Sequence, residues 1–239
     1  MIIIPARIGS TRFPNKVLAD IGGMPMVIRT AKAVEDIDDV AIATDSQEVI
    51  DIALKYNIKA VMTKADHQSG TDRIYEAAQK LELNEDEIII NVQGDEPFIE
   101  TEVVQAIYNL TKNNKDNAHI MMNSCYKIIT NPEADDPNIV KVVTDKEDIA
   151  LYFSRAKIPY PRDHHFDSYK GHLGIYGFTV KSLRQFCMLT SSPLEHIEKL
   201  EQLRALYHGY DIAMIEVQTE SFGIDTPEDL EKAIKHHIL

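Results

Sequence analysis

Short runs of branched apolar residues alternate with longer amphipathic runs through the first half of this 239-residue chain. The apolar runs are IIIPA (2–6), VAIATD (40–45), KAVMT (59–63) and EIIINVQGD (87–95). Strands that are apolar on both faces are typical of parallel sheets, because right-handed crossovers cover both faces with helices. The pattern therefore predicts an α/β fold with a mostly parallel sheet.

The intervals between these strands have helical spacing. The predicted helices cover residues 25–34, 46–56, 71–83 and 101–112. Pro25 favours the start of the first helix. Asp45 with Glu48 resembles a capping box for the second helix, and Thr71 is a candidate cap for the third.

The second half predicts a smaller antiparallel lobe. Residues 138–155 contain two strands around the turn-like Asp145-Lys146, and HLGIYGFTV (172–180) is a further strand. The segment 192–209 has apolar residues at three- and four-residue spacing, which predicts one amphipathic helix. DIAMIEV predicts a strand and DTPEDLEKAIKHH the last helix. Since no linker-like stretch or repeat interrupts the chain, we expect one domain over residues 1–239.

The composition excludes several classes of partner. With 25 Lys and Arg against 38 Asp and Glu, the formal net charge is −13, which disfavours binding to nucleic acid or to an anionic membrane. No stretch approaches the roughly 18 apolar residues of a membrane span. The two cysteines, Cys125 and Cys187, form no CxxC pattern and indicate neither zinc nor a disulfide framework. We expect a cytoplasmic protein.

The stretch IIIPARIGSTRFPNK (2–16) collects three cations in an acidic chain. It follows the first predicted strand, and open parallel sheets bind ligands at the carboxyl ends of their strands. Arg7, Arg12 and Lys16, with the backbone N–H groups of Gly9, Ser10 and Thr11, suit an anion. Neither GxGxxG nor GxxxxGK[ST] is present, and a solvated basic loop is the structural alternative.

Two acidic positions are candidate metal ligands. Asp95 in NVQGDEP follows the central strand, and Mg²⁺ prefers one or two carboxylates with phosphate oxygens. In GIDTPEDL, Thr226 and Asp229 predict a helix cap, which leaves Asp225 available for a ligand. The alternatives are that Asp95 forms only a turn and that Asp225 belongs only to a helix start.

The stretch DHQSGTDR (66–73) combines a polar loop with the start of a predicted helix. Backbone groups of such a loop and the Arg73 guanidinium can bind a nucleotide base. An ordinary helix start is the alternative here.

Seven ordered stretches resemble the 3-deoxy-manno-octulosonate cytidylyltransferase family from Ile2 to about Glu231. They are IIIPARIGSTRFPNK, DHQSGTDR, NVQGDEP, ALYFSRAKIP, HLGIYGF, SPLEHIEKLEQLR and GIDTPEDLE. The first stretch alone indicates only a sugar nucleotidyltransferase, whereas HLGIYGF and PLEHIEKLEQLR are much more specific. Residues 156–170 match poorly, and nothing is carried over there.

The resemblance implies a three-layer nucleotidyltransferase fold of the nucleotide-diphospho-sugar transferase type. It implies transfer of CMP from CTP to 3-deoxy-D-manno-octulosonate (Kdo) with release of pyrophosphate, for lipopolysaccharide synthesis in a Gram-negative cytoplasm. It also implies a homodimer and Mg²⁺ as cofactor. The number of metal ions and the identity of a general base stay open.

The family's site residues are carried over position by position. The resemblance implies contacts with the CTP phosphates from Arg7, Ser10, Arg12 and Lys16, and contacts around the cytosine from Ser69, Gly70 and Arg73. It places Mg²⁺ on Asp95 and Asp225, and makes these two acids catalytic together with Arg7 and Lys16. The implied Kdo pocket consists of Gln93, Arg155, His172, Tyr176, Glu201 and Gln202.

The residue types of the Kdo pocket suit a hydroxylated sugar acid. Arg155 offers a fork that matches a carboxylate, and the other side chains mix donors and acceptors. A hydrogen-bonded strand histidine at His172 and a solvated helix face at Glu201 and Gln202 are the structural alternatives.

Three other functions compete with this one. A cytidylyltransferase for another sugar acid, such as a sialic acid or 8-amino-Kdo, shares the chemistry. A nucleotide-binding regulator without catalysis shares the loop but not the pair of acids. An NAD-dependent oxidoreductase shares the sheet but requires the missing GxGxxG.

Overall fold

The computed structural model describes residues 1–9, 13–163 and 166–237. Its chain divides into two compact units, Met1–Gln105 with Thr219–Leu239 and Ala106–Gln218. The single domain expected over residues 1–239 stays a prediction. None of the helices in the described residues is long and apolar enough to cross a membrane.

The elements follow the chain in this order: β1 (Ile2–Ala6), a 3-10 turn (Lys16–Leu18), α1 (Met26–Val34), β2 (Val40–Thr44), α2 (Gln47–Lys55), β3 (Lys59–Met62), α3 (Gly70–Lys80), β4 (Ile88–Asn91), α4 (Thr101–Asn114), β5 (Ile120–Ile129), α5 (Asn131–Ala134), β6 (Lys141–Thr144), β7 (Ala150–Ser154), β8 (Tyr169–Thr179), α6 (Val180–Met188), α7 (Pro193–Glu198), α8 (Leu203–Tyr207), β9 (Asp211–Glu216) and α9 (Pro227–His237).

The first unit contains the predicted parallel sheet. Its strands lie in the order β3-β2-β1-β4, and every neighbouring pair is parallel. Ile2, Ile3 and Ile4 of β1 are 0% exposed, because β1 lies between two strands and both of its faces are covered. The prediction of near-continuous apolar strands in a parallel sheet is confirmed.

The strand order reverses next to β1. The chain moves outward from β1 through β2 to β3 and then returns to form β4 on the other side of β1. Right-handed crossovers then put the helix α3 on the opposite face from α1 and α2. The reversal opens a crevice outside the carboxyl ends of β1 and β4, which is where open α/β sheets bind ligands.

The second unit is built around β5. β8 pairs with β5 antiparallel, with Cys125 opposite Leu173, and β9 pairs with β5 in parallel. β6 and β7 form an antiparallel hairpin in which Lys141 faces Ser154. The predicted antiparallel strands are therefore confirmed.

The sequence pattern did not indicate β5, α5 or α6. β5 contains two polar residues, Asn123 and Ser124, in the middle of its apolar run, and both are buried. Their side chains are satisfied inside the sheet, because Asn123 Nδ2 donates to the Gly177 carbonyl at 3.3 Å and Ser124 Oγ to the Ile175 carbonyl at 2.8 Å. These partners come from β8, so the residues around β5 could not indicate them.

Two predicted helix caps are wrong by one or two residues. Ser46, not Asp45, caps α2, and its hydroxyl accepts from the Val49 N–H at 3.4 Å. Ser69, not Thr71, caps α3. A cap has extended backbone immediately before the first helical residue, and both serines have it, with φ of −122° and −133°.

The predicted helix over 192–209 is also wrong, since the structure has two short helices there. Lys199 has a φ of 55° in the left-handed region and ends α7, and α8 begins at Leu203. Because of this break, the apolar residues of the segment no longer share one helix face, and Ile197 is 77% exposed. Glu201 and Gln202 therefore lie in the connection between α7 and α8.

Gly177 in β8 predicts a sensitive packing position. A Cβ at residue 177 would lie 1.9 Å from Thr111 Oγ1 and 3.1 Å from Ile107 Cγ2. We expect Gly177→Ala to lower the free energy of unfolding by about 1–3 kcal/mol, because the overpacked neighbours must shift. Urea unfolding followed by circular dichroism measures this change.

The matched control is Gly174→Ala in the same strand, since within the described residues nothing lies within 4 Å of a Cβ there. Adding Thr111→Ala to Gly177→Ala should recover part of the loss. Equal unfolding midpoints for Gly177→Ala and Gly174→Ala would contradict the packing argument.

Candidate active site

An open pocket of about 350 Å³ lies at the carboxyl ends of β1 and β4, where the strand order reverses. Its walls come from the loop after β1, the 3-10 turn, the loop before α3, the exit of β4 and Asp225, which lies just before α9. The lining residues are Pro5, Arg7, Lys16, Val17, His67, Gln68, Ser69, Gly70, Arg73, Gln93, Gly94, Asp95 and Asp225.

Lys16 connects two acidic side chains in this pocket. Its Nζ lies 2.5 Å from Asp95 Oδ2 and 2.9 Å from Asp225 Oδ1. Burial by itself would lower the pKa of Lys16, but the charges and hydrogen bonds of the two acids outweigh burial and raise it. The predicted convergence of Lys16, Asp95 and Asp225 is confirmed, whereas their chemical roles stay predictions.

Gly94 allows Asp95 to reach this position. A Cβ at residue 94 would lie 3.0 Å from the Pro5 carbonyl oxygen, a tight contact, so glycine lets the exit of β4 approach β1 this closely without a shift of the backbone. Thr30 Oγ1 donates to the Gly94 carbonyl at 3.2 Å. The Asp95 carbonyl accepts from the Ile224 N–H at 2.9 Å, which joins the two acidic segments through the backbone.

The start of α9 directs Asp225 toward Lys16. Asp229 Oδ2 accepts from the Thr226 N–H at 3.0 Å and the Asp225 N–H at 3.2 Å, and Thr226 Oγ1 accepts from the Asp229 N–H at 3.2 Å. The predicted cap by Thr226 and Asp229 is confirmed. Because this cap satisfies the first turn, the Asp225 carboxylate is not needed there.

Two glutamates hold the segment that leads to Asp225. Glu100 accepts hydrogen bonds from the Thr219 hydroxyl and, at 3.0 Å, from the Glu220 N–H, while Glu96 Oε2 accepts from Ser221 Oγ at 3.1 Å. Burial would raise the pKa of Glu100, but these hydrogen bonds outweigh burial and lower it. The carboxylates of Glu96 and Glu100 therefore fix the approach of the chain to the pocket.

The predicted base-binding residues line one wall. Ser69 Oγ is used by the helix, since it accepts from the Asp72 N–H at 3.1 Å. Arg73 is 2% exposed and donates to Thr63 Oγ1 at 2.6 Å and to Asp45 Oδ2 at 3.1 Å. Gly70 lies against Pro5 at the same wall. Contacts of Ser69, Gly70 and Arg73 with a base stay predictions.

His67 and Glu76 form a pair that the sequence pattern did not indicate. His67 lines the pocket, and its Nε2 is hydrogen-bonded to Glu76 Oε2. Glu76 also receives Lys80 Nζ at 2.8 Å and the Lys64 N–H at 2.9 Å; although burial would raise its pKa, these donors lower it to about 2. The motif DHQSGTDR contains His67, but Glu76 lies two turns into α3 and gave no signal.

The phosphate-binding prediction is only partly covered by the structure. Arg7 is exposed and lines the pocket with Lys16. Ser10 and Arg12 lie outside the described residues.

Five of the six predicted sugar-binding residues belong to the second unit, and two of them form a cluster on β8. His172 and Tyr176 have ring centroids 5.6 Å apart. His172 Nε2 lies 3.0 Å from Ser124 Oγ. Because the Ser124 hydroxyl donates to a carbonyl, its oxygen accepts from Nε2–H, which assigns the tautomer of His172.

Both rings are uncharged. Burial lowers the pKa of His172 to about 3, although the residue keeps partial exposure. Burial, with the charge of Glu201 nearby, raises the pKa of Tyr176. A neutral imidazole and a phenol bind hydroxyl groups without adding charge.

Gln202 is 4% exposed, and its side-chain Nε2 has no hydrogen-bond partner among the described residues. Leaving a buried amide donor unsatisfied costs about 1–3 kcal/mol, so this position suits an acceptor from a ligand. Glu201 lies next to it, with an oxygen 3.7 Å from Arg204. Gln93, the sixth residue, lines the pocket of the first unit.

Arg155 is engaged with backbone carbonyls. Its Nε donates to the Glu198 carbonyl at 2.7 Å and one terminal nitrogen donates to the Pro137 carbonyl at 3.0 Å. A ligand carboxylate would have to compete with these carbonyls. Binding of a carboxylate by Arg155 stays a prediction.

The sequence matches the Cytidylyltransferase family pattern over residues 1–212. A 3-deoxy-manno-octulosonate cytidylyltransferase of a Nitratiruptor species is 57% identical over 232 residues, which is 97% of each chain. One of Wolinella succinogenes is 53% identical and 98% of each chain is covered. The solved structure of a CMP:2-keto-3-deoxy-manno-octonic acid synthetase complexed with CTP has a TM-score of 0.91 at 39% identity, with 98% of this chain and 96% of that one covered.

His172 predicts a loss of stability in acid. Its folded pKa of about 3 lies below the ordinary value near 6.5, so the unfolded chain takes up the proton first. The contribution of His172 to the free energy of unfolding is full above about pH 6.5. It declines toward pH 3, by at most about 1.4 kcal/mol per pH unit. His172→Gln should flatten this slope in urea unfolding at about pH 7, 6 and 5.

His119→Gln removes an exposed imidazole from the same unit and is the control. The same slope for the wild type and His172→Gln would show that His172 is not desolvated in the folded protein.

Proposed function

Since the chain belongs to the 3-deoxy-manno-octulosonate cytidylyltransferase family, we propose that it transfers CMP from CTP to the anomeric hydroxyl of Kdo and releases pyrophosphate. The observation that carries this proposal is the convergence of Lys16, Asp95 and Asp225 in the pocket at the strand reversal. It supplies a cation and two carboxylates at one point, as phosphoryl chemistry requires.

The nucleotide occupies the pocket of the first unit in this proposal. Arg7 and Lys16 face the phosphates, joined by Ser10 and Arg12 from the resemblance. Ser69, Gly70 and Arg73 surround the cytosine, and the pair His67–Glu76 holds the loop that carries Ser69. Arg73 supports this wall from behind, because its guanidinium is bonded to Thr63 and Asp45.

The two acids suit a magnesium ion. A single ammonium nitrogen lies within hydrogen-bonding distance of both carboxylates, so their oxygens approach one point. Within residues 1–9, 13–163 and 166–237, no group of three or more His, Cys, Asp and Glu side chains could hold a metal ion. Mg²⁺ usually takes only one or two carboxylates and completes its shell with phosphate oxygens and water. Asp95 and Asp225 would hold the ion.

Catalysis rests on positioning and on charge. The Kdo hydroxyl attacks the α-phosphorus of CTP in line with the departing pyrophosphate. Lys16 and Arg7 offset the negative charge that develops on the phosphates, and their fixed positions make this charge stabilisation effective. When bound, Mg²⁺ neutralises phosphate charge and favours ionisation of the attacking hydroxyl.

The sugar acid contacts residues of β8 and the α7–α8 connection in this proposal. Neutral His172 and Tyr176 hydrogen-bond its hydroxyl groups, and Gln202 offers the buried amide donor that has no protein partner among the described residues. Gln93, Arg155 and Glu201 complete the proposed set. Arg155 binds the carboxylate by exchanging it for a backbone carbonyl.

We also propose a homodimer in a Gram-negative cytoplasm, as the family resemblance implies. The second unit has large apolar side chains at its surface, Leu151, Met188 and Ile197, which are 60%, 76% and 77% exposed. Covering them with a second copy would remove apolar area from water.

Pyrophosphate release tests the reaction. Kdo is the acceptor, and each of the four nucleoside triphosphates is tested in turn. We expect release only with CTP, because Ser69, Gly70 and Arg73 surround the cytosine in this proposal. Replacing Kdo by a sialic acid should abolish release. Comparable kcat/KM with another triphosphate or with the sialic acid would exclude this assignment.

Asp95→Asn tests the role of the acidic pair. The variant should stay folded and lose at least about 100-fold in kcat, the size of effect seen when one charge-stabilising contact is removed. Asp51→Asn, an exposed position on α2, is the control. Near-normal turnover of folded Asp95→Asn over a range of Mg²⁺ concentrations would rule out its proposed role.

A further inference from the structure

The point at which the two proposed metal ligands meet is taken by an ammonium group of the protein itself. Lys16 Nζ lies between Asp95 Oδ2 and Asp225 Oδ1 at 2.5 and 2.9 Å. The Lys16 side chain is only 11% exposed, whereas those of Asp95 and Asp225 are 26% and 44% exposed, so the ammonium is buried on the protein side of carboxylates that face the pocket. The ammonium is therefore a fixed counter-charge of the acidic pair.

We propose that Lys16 holds the divalent-ion position of the nucleotide-free protein and leaves it for the phosphates when a triphosphate binds. This inference rests on the proposed function and deepens it, since it makes binding of the metal depend on the nucleotide. Lys16 then positions the two metal ligands in the nucleotide-free protein and contacts the phosphates once a triphosphate is bound.

Charge favours such an exchange. A dication on the same carboxylate oxygens would lie beside the ammonium, and the two like charges repel strongly in a partly buried site. With no other anion present, the ammonium gains most by staying on the carboxylates. A triphosphate supplies new anionic oxygens both to the ammonium and to the metal, and so removes the competition.

The local backbone allows Nζ to move alone. Lys16 begins the 3-10 turn, whose backbone is fixed by hydrogen bonds from Lys16 N to the Phe13 carbonyl at 3.1 Å and from Ala19 N to the Lys16 carbonyl at 3.0 Å. The four-carbon lysine stem has several rotatable bonds, so its tip can change partners while the turn stays in place.

The exchange has a thermodynamic signature. Any ligand that changes the affinity for a second ligand is itself affected to the same degree, so CTP and the divalent ion must bind cooperatively. Removing the ammonium should remove the competitor, and the nucleotide-free protein should then bind the ion more tightly.

The experiment measures binding of Mn²⁺, as a probe for the divalent ion, by electron paramagnetic resonance of the full chain without nucleotide. We expect Lys16→Met to bind Mn²⁺ at least tenfold more tightly than the wild type, and Lys16→Arg to bind it as weakly as the wild type. Adding Asp95→Asn to Lys16→Met should abolish the gain. Lys32→Met, which breaks the exposed ion pair with Glu35 on α1, removes the same charge and is the control.

Mn²⁺ affinity of Lys16→Met equal to or below that of the wild type would overturn the inference. If Lys16→Met does not fold, as judged by circular dichroism, Lys16→Gln takes its place. A wild type that binds Mn²⁺ equally well with and without CTP, after correction for the free Mn²⁺–CTP complex, would also overturn it. Pyrophosphate release by the wild type in parallel separates this failure from failure of the proposed function.

Discussion

The ion pairs of Lys16 with Asp95 and Asp225 are the interaction on which the site depends. They bring together side chains that are 79 and 209 positions apart in the sequence. Each acid is positioned differently. Gly94 lets the exit of β4, which carries Asp95, approach β1, and the Thr226 cap means that the Asp225 carboxylate is not needed to cap α9. Without the ammonium, two carboxylates facing one point would repel each other, so the pairs stabilise the fold and arrange the chemistry together.

Much of the fold could be predicted, because the strands of a covered parallel sheet are apolar runs that can be found in the local sequence. The inner strands of the sheet in the first unit are apolar on both faces, and the run Ile2–Ile4 shows this without any knowledge of its neighbours. Prediction failed where distant contacts decide. Asn123 and Ser124 look like breakers of β5, but β8 supplies their partners. At Lys199 a left-handed residue splits a helical pattern that its composition supports.

The candidate site shows the same division. Lys16 and Asp95 could be predicted from the sequence, because they belong to short motifs that follow strands, and parallel sheets bind ligands at the carboxyl ends of their strands. Asp225 was named as a candidate ligand because Thr226 could cap the helix in its place, and that cap is present. Glu76 was missed because it acts through His67 from within a helix, and nothing in an amphipathic pattern distinguishes a glutamate that holds a loop from one on a solvated face.

Asp225 follows Lys16 by 209 positions, so the ribosome synthesises the two partners of this ion pair at very different times. The ribosome delivers Lys16 and Asp95 while the segment that carries Asp225 is still missing, together with Ile224 and Ala233 of the core cluster around Ile21 and Met26. A nascent chain that stops short of this segment therefore has one carboxylate for its cation and an open core beneath it. The second carboxylate for Lys16 and the last residues of this core cluster therefore become available at the same stage of synthesis.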